Sequence, residues 1–190
     1  MGIKLKDKKK NEKSRRGLLL RGDESKNNPI VLSLHSDDHL SFLKALLKFD
    51  VKFIIIGGHA AIYYGVHRNT GDLDILIEPT VINGNKVLQA LRSLKLEVPE
   101  IKPEEFKSKL ILSFGLEPDA VDILNYTPGI DFEPVFQNSI EVKFNELKIR
   151  MIDVRDLLKN KEALQRTGEK AYLDKYDIKV LKRIIEKKKE

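Results

Sequence analysis

Cysteine and long apolar runs are missing from this chain of 190 residues, and each absence excludes a class of protein or site. Without cysteine there are no disulfide bonds, thiolate metal sites or cysteine nucleophiles. The longest apolar runs are residues 53–56 and 60–64, whereas a membrane-spanning helix needs roughly 20 apolar residues. The stretch Leu18–Leu20 is too short for the core of a signal peptide. We therefore expect a cytoplasmic protein with no membrane segment.

Positive charge is concentrated near the N-terminus. Residues 1–22 contain nine basic and two acidic residues, a net charge of +7, while the rest contains 26 basic and 27 acidic residues, a net charge of −1. The composition predicts a disordered basic tail over residues 1–28, followed by one globular domain over residues 29–190. The tail is interpreted either as a solvated arm or as a segment that binds a polyanion such as RNA.

Hydrophobic periodicity divides the body of the chain into helices and strands. Ser36 is predicted to cap the first helix, whose apolar positions extend to Leu47. Further helices are predicted over 59–64, around 87–94 and from 103 onward, and two C-terminal helices within about 153–186: one capped by Asp153 and a final one over about 171–185. Strands are predicted over 51–56, 72–78, 110–114, 120–124, 139–144 and 147–152, and a loop over 126–129. This order predicts an α/β (α+β) fold: a mixed, twisted sheet flanked by helices, with a C-terminal helical extension.

Two carboxylates lie in the strand predicted over 72–78. Residues i and i+2 of a strand point to the same face, about 6.5–7 Å apart, so Asp72 and Asp74 share one face. Leu73 and Ile75 share the opposite, apolar face. Two like charges on one face repel and raise each other's pKa. A cation should neutralise them, and Mg²⁺ is usually held by one or two carboxylates together with substrate phosphates.

A third carboxylate, Asp122, stands inside an apolar run, with Val121 and Ile123 on the other face of the strand. If this strand lies beside the strand of Asp72 and Asp74, three carboxylates meet. Such a set can hold two Mg²⁺ ions that activate an attacking hydroxyl and stabilise the leaving oxygen of a displacement at phosphorus. The alternative is an exposed face of an antiparallel strand, which normally alternates apolar and polar residues.

Gly57 and Gly58 separate a predicted strand from a predicted helix. Glycines at such a turn let the backbone approach a ligand closely, and the first N–H groups of the helix can donate to phosphate. His67 and Arg68 follow in the next loop and are candidate electrostatic partners of a phosphate group. A plain tight turn is the alternative for the two glycines.

The stretch from Gly57 to Asp74 resembles the nucleotidyltransferases of the polymerase-β superfamily. That superfamily carries a Gly-Gly or Gly-Ser pair, a short gap, an acid–apolar–acid triplet and a third acid on a later strand. Here thirteen residues separate the glycine pair from the triplet Asp72-Leu73-Asp74, and Asp122 matches the third acid. Small bacterial members have the pattern G-G-x-A…G…R-x-T-x-D-h-D-h, where h is apolar. The matching residues here are Gly57, Gly58, Ala60, Gly65, Arg68, Thr70, Asp72 and Asp74.

The C-terminal part of these proteins usually contains an Asn-Lys pair on a helix, followed by an Asp-x-x-Asp pair. Asn160-Lys161 and Asp174 with Asp177 resemble these pairs, although the stretch between Arg166 and Asp174 is longer than the pattern predicts. Lys161 is therefore a candidate contact for a triphosphate, the alternative being a lysine on a helix surface. Charged residues on a terminal helix are normally solvated, so we expect Asp174 and Asp177 to be exposed.

The resemblance implies a nucleotidyltransferase fold and an enzyme that moves a nucleoside monophosphate from an NTP to a hydroxyl acceptor, with release of pyrophosphate. It implies Mg²⁺ or Mn²⁺ as the cofactor. The residues implied for metal binding and catalysis are Asp72, Asp74 and Asp122, and those implied for nucleotide binding are Gly57, Gly58, Arg68, Thr70 and Lys161. The acceptor stays open between RNA or tRNA, a protein hydroxyl and a small antibiotic-like molecule.

Two other classes of function stay open. One is a non-catalytic nucleotide-binding or regulatory module, such as one member of a toxin–antitoxin pair with a partner protein. The three intact acids argue against it, because a pure binder has little need for clustered carboxylates. The other is RNA binding through the basic tail, which predicts steeply salt-dependent binding.

Overall fold

The computed structural model describes residues 37–96 and 100–187, so the predicted basic tail and the predicted Ser36 cap lie outside the described residues. Its helices are α1 (Asp37–Lys48), α2 (Gly57–Tyr63), α3 (Val81–Ser93), α4 (Phe132–Asn138), α5 (Val154–Ala163) and α6 (Glu169–Lys187). Its strands are β1 (Phe53–Ile55), β2 (Asp72–Ile77), β3 (Ile111–Phe114), β4 (Ala120–Leu124), β5 (Ile140–Phe144) and β6 (Leu147–Met151). A 3₁₀ helix covers Pro103–Lys107.

The six strands form one sheet in the order β3-β4-β2-β1-β6-β5. Strand β2 is antiparallel to β1 and parallel to β4, while β1 is parallel to β6. The edge strands β3 and β5 are antiparallel to β4 and β6, respectively. The predicted mixed α/β sheet is therefore confirmed. The parallel pairing brings β2 and β4 side by side although they are far apart in the sequence.

The alternation of residues in β2 sets the two faces of the sheet. Leu73, Ile75 and Ile77 are buried on one face, whereas Asp72 and Asp74 are only partly buried on the other. Every residue of β1 is buried, because this strand lies at the centre of the sheet. The apolar core thus holds one face of β2 in place, and the other face of β2 presents the two acids.

Two helices begin earlier than predicted, and a third predicted helix is only a short turn. Helix α2 begins at Gly57 instead of residue 59, so the glycine pair belongs to its first turn. Helix α3 begins at Val81, well before the apolar stripe around 87–94, because the Thr80 hydroxyl accepts a hydrogen bond from the Asn83 N–H and caps the helix. The helix predicted from residue 103 is a short 3₁₀ turn.

Helix α4 is not predicted from the sequence. It has seven residues, too few for a clear periodic pattern, and it contains Pro134. Proline is tolerated there because the first N–H groups of a helix have no partner within it. A short amphipathic pattern interrupted by proline is easily taken for a loop.

The predicted C-terminal helical extension consists of α5 and α6, which pack against each other. Asp153 caps α5 as predicted, with its side chain accepting a hydrogen bond from the Arg155 N–H at 2.8 Å. No helix in the described part of the chain is long and apolar enough to cross a membrane. Charged residues of α5 and α6 thus lie near the face of the sheet that presents Asp72 and Asp74.

Candidate active site

Asp72, Asp74 and Asp122 lie together on the partly open face of the sheet. The parallel pairing of β2 and β4 places Asp74 opposite Asp122. Each of the three residues has one carboxylate oxygen that lies within 4.8 Å of a carboxylate oxygen of each of the other two, so three such oxygens are close together. The prediction that these carboxylates meet if their strands are neighbours is confirmed.

The surroundings of Asp74 disfavour its negative charge. Burial is the largest cause of the rise in the pKa of Asp74 to about 6, and the like charges of Asp72 and Asp122 add to it. The positive charges of Lys161 and Arg166 act in the opposite direction. At neutral pH the carboxylate is therefore mostly ionised, but at a cost that a nearby cation would reduce.

The three carboxylates match the ligands that a hard divalent cation prefers. Mg²⁺ and Mn²⁺ bind carboxylate oxygens, and a cation among these acids would offset their mutual repulsion. The Thr70 hydroxyl donates to Asp72 Oδ1 at 3.0 Å, which orients that carboxylate. Among the described residues, this triad is the group of three acidic or histidine side chains that could hold a metal ion.

The glycine turn lies directly against the triad because neither glycine has a side chain. A β-carbon on Gly57 would overlap Asp74 Oδ2, and one on Gly58 would overlap Thr70 Oγ1 and lie 2.9 Å from Arg68 Nη2. Gly57 also has a φ of +67°, in the left-handed region that favours glycine. The backbone of the turn is therefore close enough to the acids to approach the same ligand.

A cavity of about 420 Å³ opens over these residues. Six of the eight predicted site residues line it: Gly58, Arg68, Thr70, Asp72, Asp74 and Lys161. The other two, Gly57 and Asp122, lie outside its wall but next to Asp74. The structure thus brings all eight predicted residues together, and their individual roles stay predictions.

The C-terminal helix contributes buried charges to the edge of this cavity. Asp174 and Asp177 are 5% and 0% exposed, so the expectation that they are solvated is wrong. Lys161 Nζ lies 2.8 Å from Asp174 Oδ1 and 2.9 Å from Asp177 Oδ2. Lys161 is itself 3% exposed, which excludes the alternative of a surface lysine. The acids point inward because each meets a cation there, and a buried charge needs such a partner.

Besides Asp174, four charged residues of the cavity wall are not predicted from the sequence as site residues: Glu117, Arg166, Glu169 and Lys170. Lys170 Nζ lies 3.7 Å from Asp72 Oδ2, and Arg166 Nε lies 3.8 Å from Asp174 Oδ2. These approaches depend on how the start of α6 folds over the sheet. No local sequence pattern predicted these contacts.

Two residues near the predicted motifs lie elsewhere. Asn160 Nδ2 donates to Thr127 Oγ1 at 2.7 Å and to the Pro128 carbonyl at 2.9 Å, so it joins α5 to the loop before α4. His67 is exposed and does not line the cavity. Of the Asn-Lys pair, only the lysine therefore faces the candidate site.

Comparison with known proteins identifies the fold. No protein-family model and no curated protein matches the sequence. Among solved structures, the chain is similar to the crystal structure of the lincosamide antibiotic adenylyltransferase LnuA with lincomycin bound, with a TM-score of 0.50 and 20% sequence identity. The similarity covers 77% of this chain and 96% of that chain. At this identity the likeness is one of fold, and the chain has the mixed α/β fold of a nucleotidyltransferase.

Proposed function

We propose that the protein is a metal-dependent nucleotidyltransferase. The acceptor hydroxyl oxygen would form a bond to the α-phosphorus of an NTP, the bond to the pyrophosphate oxygen would break, and the hydroxyl proton would be released. The observation that carries this proposal is the carboxylate triad of β2 and β4, which lies against the Gly57-Gly58 turn at a cavity that also contains positive charge. The likeness in fold to an adenylyltransferase agrees with it.

The acidic side of the cavity is assigned to the metal. Asp72, Asp74 and Asp122 would hold Mg²⁺ or Mn²⁺, because their oxygens are close together and their repulsion needs a cation. When bound, such ions polarise phosphoryl oxygens and make a hydroxyl a better nucleophile. Thr70 keeps one of the carboxylates oriented through its hydrogen bond to Asp72.

The positively charged part of the cavity is assigned to the polyphosphate. Because Gly58 has no side chain, Thr70 Oγ1 and Arg68 Nη2 lie directly against the glycine turn. Lys161 adds a second positive charge to the same cavity. Hydrogen bonds from cationic groups to phosphate are stronger than those between neutral groups, so this wall suits the charged part of an NTP.

The acceptor is proposed only as a compound with a hydroxyl group. The structural neighbour is an adenylyltransferase of a lincosamide antibiotic, so a small antibiotic-like molecule is one candidate. An RNA or tRNA end, a protein hydroxyl and a toxin–antitoxin role with a partner protein stay predictions. A screen of these acceptors with labelled NTP would follow once nucleotide binding is measured.

The first test is calorimetry of the full chain with each of the four NTPs, with and without Mg²⁺. We expect Mg²⁺-dependent binding of at least one NTP, and its loss in Asp72→Asn and in Asp74→Asn, because each substitution removes a charged metal ligand. Asp131→Asn is the matched control: it removes a carboxylate that is exposed and lies outside the cavity. Circular dichroism would check that each variant keeps its fold.

The outcomes separate the candidate functions. Mg²⁺-dependent binding that survives in both triad variants would contradict the proposed metal site. Binding without transfer to any acceptor would favour the non-catalytic nucleotide-binding module. Transfer of the nucleoside monophosphate by the wild type, abolished in both triad variants but not in Asp131→Asn, is the result expected of the enzyme.

A further inference from the structure

Asp177 is a buried acid that does not itself line the cavity. Its carboxylate lies between two cations that do line it. Oδ1 is 3.0 Å from Arg68 Nε, and Oδ2 is 2.9 Å from Lys161 Nζ. The two contacts are close ion pairs without the angles of hydrogen bonds. One carboxylate of α6 thus joins the loop before β2 to α5, directly behind the cavity.

The contacts of Arg68 fix the direction of its guanidinium. Nε faces Asp177, and Nη1 donates to the Asn69 carbonyl at 2.8 Å. Nη2 lies beside the position where a β-carbon of Gly58 would be. Because the guanidinium is planar and rigid, fixing two of its nitrogens also fixes the third. The third therefore faces the glycine turn.

Lys161 is held in a comparable way. Its ammonium has three N–H donors, and it lies within ion-pair distance of Asp174 Oδ1 and Asp177 Oδ2. Contacts with two acids leave donor capacity on the ammonium for a ligand. Arg68, which is partly buried, and Lys161 are matched in charge by Asp174 and Asp177, so this group of four is neutral before any ligand binds. The positive charges can therefore be fixed inside the protein at a tolerable cost.

We propose that Asp177 is a positioning residue for nucleotide binding: it holds Arg68 and Lys161 in the orientation in which they contact the polyphosphate of an NTP. This inference rests on the proposed function. It differs from a purely structural role, in which the acid would only attach α6 to the rest of the domain. A structural attachment between the same helices exists at the surface, where Lys182 Nζ lies 2.7 Å from Glu162 Oε1.

The test compares Asp177→Asn with Glu162→Gln in the full chain. Asp177→Asn keeps the shape of the side chain but removes its charge, so we expect binding of Mg²⁺-NTP to weaken roughly tenfold or more, as for one lost charge-assisted contact. The loss should be smaller for the corresponding NMP, which has fewer phosphates. Mn²⁺ binding to the triad without nucleotide should be unchanged. Glu162→Gln, which removes an exposed pair between α5 and α6, should leave nucleotide affinity unchanged.

A second variant covers the case in which Asp177→Asn does not fold. Arg68→Lys keeps the charge, but a single ammonium cannot reach Asp177 and the glycine turn together. We expect a similar loss of NTP affinity from this variant. Where both single variants fold, the double variant with Arg68→Lys and Asp177→Asn should lose NTP affinity by a factor much smaller than the product of the two single factors. Both substitutions break the same contact between Asp177 and Arg68, so their effects should not add.

The results distinguish this inference from the proposed function. If the wild type binds no NTP, the proposed function fails and this inference with it. If the wild type binds NTP and both Asp177→Asn and Arg68→Lys bind it as tightly, only the positioning role is overturned. A lower unfolding temperature of Asp177→Asn with unchanged NTP affinity would show that Asp177 is a structural residue.

Discussion

A single β-carbon at residue 57 would disturb the candidate metal site. Gly57 has a φ of +67°, and an added β-carbon would overlap Asp74 Oδ2. Gly168 has nearly the same φ, +66°, but no atom lies within 4 Å of the position of its added β-carbon. The two glycines thus share the cost of the left-handed backbone and differ in what surrounds them. The comparison separates backbone strain from displacement of a metal ligand.

We predict that Gly168→Ala lowers the free energy of unfolding by about 1 kcal/mol, the cost of a left-handed conformation for a residue with a β-carbon. Gly57→Ala should cost clearly more, because Asp74 must move as well, and it should also weaken Mn²⁺ binding. Urea unfolding and calorimetry with Mn²⁺ measure the two effects. Equal losses of stability with unchanged Mn²⁺ affinity would show that Asp74 is not held against the turn.

At the scale of elements, α5 carries two adjacent residues with different surroundings. Lys161 lies at the cavity among the acids of α6. Asn160, one residue earlier, is buried and donates to Thr127 and Pro128 in the loop before α4. Neighbouring residues of a helix point about 100° apart, so one helix both fixes the loop and delivers a cation to the site.

Asn160→Ala should lower the free energy of unfolding by about 1–3 kcal/mol, because a buried hydroxyl and a partly buried carbonyl lose their donor. The control is Asn85→Ala, whose amide makes an exposed contact within its own helix to Val81. That variant should change stability by no more than about 0.5 kcal/mol. Urea unfolding of both variants checks this difference, and similar values for the two would contradict the anchoring role of Asn160.

At the scale of the whole molecule, the sheet brings like charges together that are distant in the sequence. Asp74 on β2 faces Asp122 on β4, and the pKa of Asp74 rises to about 6 from its ordinary value near 3.8. Folding therefore favours the protonated form of this group. Below about pH 4 the proton is bound in both the folded and the unfolded state. Between about pH 4 and 6 the unfolded chain has lost this proton while the folded protein still holds it, so stability falls as the pH rises and levels off above about 6.

We therefore expect the ionised Asp74 carboxylate to lower the free energy of unfolding of the metal-free protein at pH 8. Removing the charge with Asp74→Asn should stabilise it at pH 8 by about 2–3 kcal/mol and have little effect near pH 4. Urea unfolding in the presence of a chelator measures this, with Asp131→Asn as the control. Added Mg²⁺ should reduce the advantage of the variant. An equal effect of Asp74→Asn at both pH values would contradict the raised pKa.

Local sequence patterns determined the strands and the faces of the site. The alternation in β2 predicted that Asp72 and Asp74 share one face, and the apolar run around Asp122 predicted a matching strand. The glycine pair predicted a close approach of the backbone to a ligand, which stays a prediction, and the structure places Gly57 directly against Asp74. These features follow from periodicity and from the absence of a side chain, both of which are properties of a few consecutive residues.

Only the tertiary structure decided which charges are buried and which face the cavity. Asp177 is a charged residue of a kind that is normally solvated on a helix, but it is fully buried. The packing of α6 brings it to Lys161 of α5 and to Arg68 in the loop before β2. Lys170 reaches Asp72 for the same reason. The free energy of a buried charge depends on partners supplied by distant segments. No local pattern contains that information, so these residues became visible only when helices and strands were packed together.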